Sequence, residues 1–187
     1  MTYAELMANV IQEVGDESLA EHMDSIVQRA ERTISNRLRD ARMLSDTELT
    51  FTSGTARLPD DFLEVFLLTT PAGVRICPKP MRWAKLSSAY YAIAGRNIVC
   101  GKLDGTLLLT YYARLPTITT GPDGTNWLLE AAPELYEAFV KQFAAAHIRD
   151  MEARNFWRQE ADYLLREFRT QAWLHNHGDQ AIEAGGC

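Results

Sequence analysis

Apolar residues recur at helical spacing through the N-terminal part of the chain. Leu6, Val10 and Val14 lie four residues apart, which predicts a short helix over 3–14. A longer helix is predicted from Leu19, because apolar residues keep this spacing for about five turns to Leu38. Acidic residues lie early in this second helix and arginines lie late, which is the polarity that the helix dipole favours. The pattern therefore predicts helical structure over 1–43.

The apolar period changes to two near Ser45, which is typical of strands. Further short apolar stretches follow at 56–58, 65–68, 74–77, 90–93, 98–100 and 106–112. Gly95-Arg96-Asn97 and Asp104-Gly105 are turn signals that predict hairpins. Because no long helices alternate with these stretches, we expect a small antiparallel sheet of about five or six strands within 45–116.

Helical spacing returns after a loop rich in Thr, Gly and Pro. Thr125 or Asn126 can cap a short helical turn, and Pro133 suits the first turn of the helix that follows. Apolar and aromatic residues cover a wide arc over 135–148, which predicts a helix that is buried against several neighbours. His147 falls on an apolar row of this helix, so we expect it in the core.

A single apolar stripe marks the last helix, and its members are Trp157, Ala161, Leu164, Leu165, Phe168 and Ala172. This stripe belongs either to the core or to a subunit interface. The periodic pattern ends after Trp173, so 174–187 is interpreted as a flexible C-terminal tail. The predicted fold is α+β, with a helical body of two N-terminal and two C-terminal helices and the small antiparallel sheet inserted between them.

The length and composition favour one globular domain. The chain has 187 residues, of which 47% are hydrophobic, and this excludes wholesale disorder. We therefore expect a single domain over 1–173, in which helical segments 1–43 and 125–173 flank a β-rich insertion over 45–116. The first five residues lack the cationic region of a signal peptide, and no uncharged apolar run is long enough to span a bilayer. We expect a protein made in the cytoplasm that has no membrane partner.

The net charge narrows the possible function classes. The chain has 25 acidic and 19 basic residues and a formal charge of −6, which excludes a protein that binds nucleic acid over its whole surface. A local basic strip stays possible, and its candidate members are Arg29, Arg32, Arg37, Arg39 and Arg42. These arginines have two interpretations, namely completion of the helix dipole or binding of phosphates.

Motifs for catalysis or for a cofactor are not found in the sequence. Gly101–Gly105 has neither the P-loop nor the dinucleotide spacing. The helical carboxylates between 13 and 24 fit a solvated face better than a general acid/base pair. His175 and His177 with Cys187 form either an incomplete zinc site or chance residues of a tail, and the second interpretation is favoured. We expect no catalytic residue, no cofactor and no bound metal.

Six segments carry a resemblance to a known family: MTYAEL at 1–6, AERTISNRL at 30–38, LPDDFLE at 58–64, LTYYARLP at 109–116, TNWLLE at 125–130 and PELY at 133–136. In this order they resemble the head-to-tail adaptor proteins of tailed bacteriophages, which are also called head completion or connector proteins. The resemblance covers residue 1 to about residue 172 and rests on the order and spacing of the segments.

The resemblance implies a structural protein of the virion neck. Its copies would form a ring, dodecameric in this family, docked beneath the portal protein at the capsid vertex. Such a ring extends the DNA channel, helps to retain the genome and presents a platform to the downstream tail or neck protein. Packaged double-stranded DNA would pass through it without sequence-specific contact, and the family has no shared active site.

A ring requires unlike faces on each copy, because each subunit contacts its two neighbours through different surfaces. The candidate subunit-interface residues are Arg29, Arg32, Arg37, Arg39, Arg42, Trp127, Arg158 and Arg166. By position, the tail corresponds to the extension that reaches toward the portal in this family. The candidate portal-docking residues are His175, Asn176, His177, Gly178, Asp179 and Cys187.

Two other functions stay open at the level of sequence. The first is a nucleic-acid-binding module that uses the Arg-rich helix over 29–42, for which affinity would fall steeply with salt. The second is a small hydrolase that acts on the cell wall during entry, and it depends only on the loose carboxylates of the N-terminal helices.

Overall fold

A computed structural model describes residues 1–118, 121 and 123–177, with side chains described as far as 171. The described chain is a mixture of helices and antiparallel strands. It divides into two compact units, each considered separately below. The helical unit contains residues 1–40 and 115–177, and the sheet unit contains residues 41–114.

The helical unit begins with α1 (Tyr3–Val14), a 3₁₀ helix (Glu17–His22) and α2 (Met23–Arg37), and it continues with α4 (Trp127–Ala131), α5 (Pro133–His147) and α6 (Met151–His177). Local signals determine several helix ends. A capping box between Thr2 and Glu5 starts α1, and Gly15 ends it with a φ of 77°. The Asn126 side chain caps α4, and Pro133 occupies the first turn of α5.

Helix α5 lies at the centre of the helical unit, where it contacts α1, α2, α4 and α6. Phe139, Val140 and Ala144 are fully buried within it. The wide apolar arc in the sequence is therefore confirmed as the sign of a helix surrounded by other helices. His147 is different, because it is exposed at the end of α5 and contacts the ring of His22 at 4.4 Å between centroids. The prediction of a core histidine at this position is wrong.

The sheet unit contains β1 (Leu44–Phe51), β2 (Thr55–Arg57), β3 (Phe62–Thr69), β4 (Cys77–Pro78), α3 (Met81–Ala84), β5 (Tyr90–Ala94), β6 (Asn97–Val99) and β7 (Gly105–Ala113), after a 3₁₀ turn at Ala41–Met43. Strands β1, β7 and β3 form a three-stranded antiparallel sheet in that order. Strands β2, β6, β5 and β4 form a second sheet. One apolar cluster that includes Leu49, Leu68 and Ile98 is shared by strands of both sheets.

Two features of the sheet unit differ from the single antiparallel sheet that the sequence predicts. The strands divide into two sheets, and β4 pairs with β5 in parallel. The hairpin at Gly95 is confirmed, because β5 and β6 pair across it. The hairpin predicted at Asp104-Gly105 is wrong, because β6 pairs with β5 and β2, whereas β7 pairs with β1 and β3. A turn signal indicates that the chain changes direction, but the next strand's partner depends on distant residues.

Two element boundaries also differ from expectation. Helix α2 ends at Arg37 because Leu38 adopts an extended ψ of 140°, so Arg39 and Arg42 lie beyond its last turn. At the C-terminus the backbone of α6 continues through His177, four residues past the expected end of the domain at 173. The rest of the predicted tail, including Gly178, Asp179 and Cys187, lies outside the described residues.

Candidate assembly surfaces

A buried carboxylate, Glu31, lies at the centre of the helical unit. It is 4% exposed and its Oε1 accepts hydrogen bonds from the Ile118 backbone N–H at 2.8 Å and from the Tyr136 hydroxyl at 2.7 Å. Burial raises the pKa of Glu31, although hydrogen bonds from Ile118, Tyr136 and Thr117 act in the opposite direction. One side chain of α2 thereby connects α5 to the segment after β7.

The segment over 115–118 is held by two further polar side chains. Ser35 Oγ accepts a hydrogen bond from the Leu115 N–H at 3.1 Å. Asn126 Nδ2 donates to the Pro116 carbonyl at 2.9 Å, while its Oδ1 accepts from the Leu128 and Leu129 N–H groups at 3.1 and 2.9 Å. Because an unpaired buried N–H group is costly, these contacts fix where the chain re-enters the helical unit.

These contacts explain part of the family resemblance. Glu31 and Ser35 belong to the 30–38 segment, and Asn126 and Tyr136 belong to the segments at 125–130 and 133–136. Together with the end of the 109–116 segment they form one buried polar network. The resembling residues of the helical unit therefore have a structural role in positioning its helices.

Two of the resembling segments, LPDDFLE and LTYYARLP, meet in the sheet unit. The Tyr111 hydroxyl donates to Asp61 Oδ1 at 3.0 Å, and the Arg114 N–H donates to the Asp61 carbonyl at 2.8 Å. Burial, together with this hydrogen bond, raises the pKa of Tyr111 to about 12. Asp60 forms exposed ion pairs with Arg57 at 3.2 Å and Arg96 at 2.7 Å. Asp61 therefore joins the LPDDFLE segment to the LTYYARLP segment.

The chain's single buried lysine connects three helices of the helical unit. Lys141 on α5 pairs with Glu13 on α1 and with Glu137 at 2.9 Å, and its Nζ lies 4.8 Å from the ring centroid of Trp157 on α6. Burial acts to lower the pKa of Lys141, but hydrogen bonds from Nζ to Glu13 and Glu137 outweigh it, so the net shift is upward. Glu13 is thus occupied by a structural ion pair.

Several of the predicted interface residues already make contacts within the helical unit. Arg29 lies 4.8 Å above the Phe143 ring, and Arg37 pairs with Asp162 at 2.7 Å. Arg39 donates to the Ser35 and Leu38 carbonyls at 3.0 and 2.5 Å. Arg166 Nε donates to the Asp162 carbonyl at 3.1 Å. Arg29 and Arg37 on α2 thus contact α5 and α6, and Arg39 binds a carbonyl group at the C-terminal end of α2.

The other predicted interface residues are distributed over both units. Arg32 on α2 and Arg158 on α6 are exposed and have no ion-pair partner in the described part of the chain. Trp127 is half-buried at the start of α4, and Arg42 is exposed in the 3₁₀ turn of the sheet unit. His175, Asn176 and His177 lie in the α6 backbone, whose side chains are not described at these positions, and the other tail candidates fall beyond it.

Helix α6 also exposes two aromatic side chains on the side that faces away from α5. Phe156 is 59% exposed and Tyr163 is 55% exposed, whereas Ala161 and Leu165 on the α5-facing side are almost completely buried. At 100° per residue, Phe156 and Tyr163 lie about 20° apart and roughly opposite the buried stripe. The seven-residue spacing of Phe156 and Tyr163 in the sequence could have indicated that they share one side of the helix.

The sheet unit contains an open cleft of about 700 Å³, lined by Glu64, Val65, Pro78, Lys79, Pro80, Met81, Tyr91, Ala92 and Ile93. Within residues 1–118, 121 and 123–177, no three His, Cys, Asp or Glu side chains are grouped so as to hold a metal ion. Cys100 is a buried free thiol whose pKa is raised by desolvation, which disfavours the reactive thiolate. None of the described helices is long and apolar enough to span a bilayer.

A comparison with protein families identifies one match. The family described as SU10 adaptor protein matches residues 1–181, which is nearly the entire chain. No curated protein matches the chain. The match includes both units and all six resembling segments.

Proposed function

The chain belongs to the SU10 adaptor family of phage head-to-tail adaptors, and from this premise we propose that it forms a ring beneath the portal of the virion. The family match over residues 1–181 is the observation that carries the proposal. The ring is dodecameric, it extends the DNA channel and helps to retain the genome, and it presents a platform to the downstream tail or neck protein. The chain acts as a structural protein and not as an enzyme.

The surfaces of the helical unit support a ring of head-to-tail contacts. A ring needs two different patches per copy that fit each other. Helix α6 presents Phe156 and Tyr163 on the side opposite its buried stripe, and Arg158 is exposed on the same helix. Arg32 is exposed on α2. We assign these residues to subunit contacts, with Trp127 and Arg42 as further candidates, and we assign the tail over 174–187 to the portal.

The charge of the chain suits a channel through which DNA moves. Each phosphate contact made by Lys or Arg adds to non-specific affinity for DNA, and a wall rich in such contacts would retard the genome. A subunit with a formal charge of −6 gives a ring that surrounds double-stranded DNA without binding it tightly.

The Arg-rich segment supports this role better than nucleic-acid binding. Arg29, Arg37 and Arg39 direct their guanidinium groups to an aromatic ring, a carboxylate and two backbone carbonyls of the same unit. A phosphate-binding strip would present these groups together to solvent. The contacts therefore favour the structural interpretation of these arginines.

Electron microscopy and mass photometry of the purified protein, alone and mixed with purified portal rings, test the proposal. We expect rings in at least one of the two conditions, stacked on one end of the portal when it is present. Assembly on the portal alone would still agree with the proposal, because a monomer can use the portal as a template. If rings and portal complexes are both absent over a range of salt concentrations, the proposed function is wrong.

A further inference from the structure

Charged residues are distributed very unevenly along the chain. Residues 65–103 contain six Lys or Arg and no Asp or Glu, although the chain as a whole is acidic. Residues 1–28 show the opposite distribution, with six Asp or Glu and no Lys or Arg. The first block belongs to the sheet unit and the second to the helical unit. Each unit thus has a region of one charge sign, and the two signs are opposite.

Four of the cations of the sheet unit form a compact exposed group, here called the basic patch: Lys79, Arg82, Lys85 and Lys102. The first three lie on or beside the single turn of α3. The Gly101 N–H donates to the Ala84 carbonyl at 2.5 Å, which places Lys102 next to this turn. A Cβ on Gly101 would lie 2.7 Å from Ser87 backbone carbon, so only glycine permits this approach.

The basic patch lacks any anionic partner among the described residues. Lys79 lies 5.8 Å from the Tyr90 ring centroid and Arg82 lies 5.5 Å from that of Trp83, while no carboxylate pairs with either cation. Apolar groups are exposed beside them, since Trp83 is 48% exposed and Leu86 is 78% exposed. Exposed Trp and Arg next to each other are typical of protein–protein interfaces.

The opposite charge is concentrated over 13–24, here called the acidic segment, with Glu13, Asp16, Glu17, Glu21 and Asp24. Some of these carboxylates are already used, because Glu13 pairs with Lys141 and Asp24 accepts a hydrogen bond from Tyr3. Glu17 and Glu21 are exposed on the 3₁₀ helix and have no ion-pair partner in the described chain. They give the helical unit an anionic surface that is available to another molecule.

We propose that the basic patch of one copy binds the acidic segment of the next copy. The inference rests on the proposed ring and specifies one of its contacts. Two basic patches repel each other, as do two acidic segments, so neither surface can form a symmetric dimer with itself. Unlike surfaces permit a head-to-tail contact, which closes into a ring when the rotation permits it and which agrees with the proposed ring. Trp83 and Leu86 add the apolar area that charges alone do not supply.

A second copy fits the basic patch better than DNA does. The same chain contains an anionic surface of matching charge, and the exposed Trp83 and Leu86 would gain little from a phosphate backbone. The contact is ionic, so rising salt should weaken it, since the Debye length falls from about 10 Å at 0.1 M to about 3 Å at 1 M.

Two charge-reversed variants test the contact. One carries Glu17→Arg with Glu21→Arg, and the other carries Lys79→Glu with Lys85→Glu. Either pair of substitutions removes most of the charge of one surface while the other surface keeps its own, and we expect the concentration needed for assembly to rise by about tenfold or more. When the two variants alternate in an equimolar mixture, every second contact joins an unchanged basic patch to an unchanged acidic segment, so we expect the mixture to assemble at a lower concentration than either variant alone. This rescue also shows that both variants are folded.

Matched controls carry the same changes of net charge at exposed positions outside both surfaces. Glu48→Arg with Glu134→Arg matches the first variant, and Arg57→Glu with Arg114→Glu matches the second. We expect both controls to assemble like the wild type. If the controls lose assembly equally, or if the mixture fails to regain it, net charge and not this contact is responsible, and the inference is wrong.

The possible failures can be distinguished. If the wild type forms rings and both reversed variants do so equally well, this contact is wrong while the proposed function stands. If the wild type forms no ring with or without portal, both are wrong. Fluorescence anisotropy with a 20-base-pair DNA duplex tests whether the basic patch binds DNA and not a second copy. Normal assembly of the Lys79→Glu, Lys85→Glu variant with loss of duplex binding would assign the basic patch to DNA and overturn the inference.

Discussion

Replacing Glu31 by alanine removes the acceptor on which the buried network of the helical unit depends. The Ile118 N–H and the Tyr136 hydroxyl both donate to Glu31 Oε1, at 2.8 and 2.7 Å. Tyr136 and Ile118 are almost completely buried, so water cannot easily replace the carboxylate. The substitution leaves two buried donors without an acceptor.

The expected cost follows from these two donors. A buried donor left unsatisfied costs about 1–3 kcal/mol, so Glu31→Ala should lower the free energy of unfolding by roughly 2–6 kcal/mol. Glu31→Gln is the matched control, because its Oε1 can accept both hydrogen bonds and its volume is nearly the same. Tyr136→Phe removes one hydrogen bond to a charged group and should cost about 1.5–3 kcal/mol.

The pH dependence gives a second, independent expectation. Burial raises the pKa of Glu31, so the folded protein holds the proton more tightly than the unfolded chain does. The resulting stabilisation is complete below the ordinary glutamate pKa of about 4.3 and is lost as the pH rises through the raised folded-state pKa. The Glu31→Gln variant has no carboxyl group that titrates at this position, so its stability does not fall in this way as the pH rises. Its stability relative to the wild type should therefore increase as the pH rises from 4 toward 7.

Urea unfolding followed by circular dichroism, at several pH values, measures all three variants. Hydrogen exchange of the Ile118 amide reports on the same contact locally, and we expect its protection to fall in Glu31→Ala and to persist in Glu31→Gln. The reasoning is refuted if Glu31→Ala costs less than about 1 kcal/mol and leaves the Ile118 amide protected. Equal loss of stability in the alanine and glutamine variants would also contradict it.

Two further predictions concern α6 and the sheet unit. Leu165→Ala should cost about 2–5 kcal/mol because Leu165 is 2% exposed, whereas Phe156→Ala with Tyr163→Ala should cost less than about 1 kcal/mol and still impair ring assembly. Urea unfolding and mass photometry separate these effects, and unchanged assembly of the double variant would remove this face from the interface. Gly54→Ala places a Cβ 1.7 Å from the Gly101 carbonyl oxygen at a φ of 75°, so we expect at least about 2 kcal/mol of destabilisation. Gly95→Ala at a φ of 61° has open space and should cost only about 1–2 kcal/mol, and an equal cost at both glycines would show that the clash is relieved.

Local patterns in the sequence predict the helices and their ends well. The capping signals at Asn126 and Pro133 lie where the structure places the starts of α4 and α5. These features depend on neighbouring residues only, because a cap or a fixed φ acts within one turn. The apolar arc of α5 likewise predicts a helix with neighbours on several sides, although it does not identify those neighbours.

Strand pairing and hydrogen bonds between distant residues could not be predicted from local sequence patterns. Strand β7 pairs with β1 and β3, which lie far from it in sequence, so the turn at Gly105 gave no information on its partners. Glu31 belonged to a recognised segment, but nothing in that segment predicts a hydrogen bond to Ile118, 87 residues later. The periodicity that placed His147 in the core gave its helical face correctly but not the exposed end of α5.

Local periodicity and the order of short segments are sufficient to predict a mixed helical and β chain that resembles the adaptor family. Which charged side chains are available for contacts depends on how the folded chain packs. Arg37 and Lys141 are both cations in the sequence, yet the structure places each of them in an ion pair. Lys85 has no ion-pair partner in the described chain and lies beside exposed Leu86. Pairing and burial depend on which helices and strands pack together, and only the complete fold determines this.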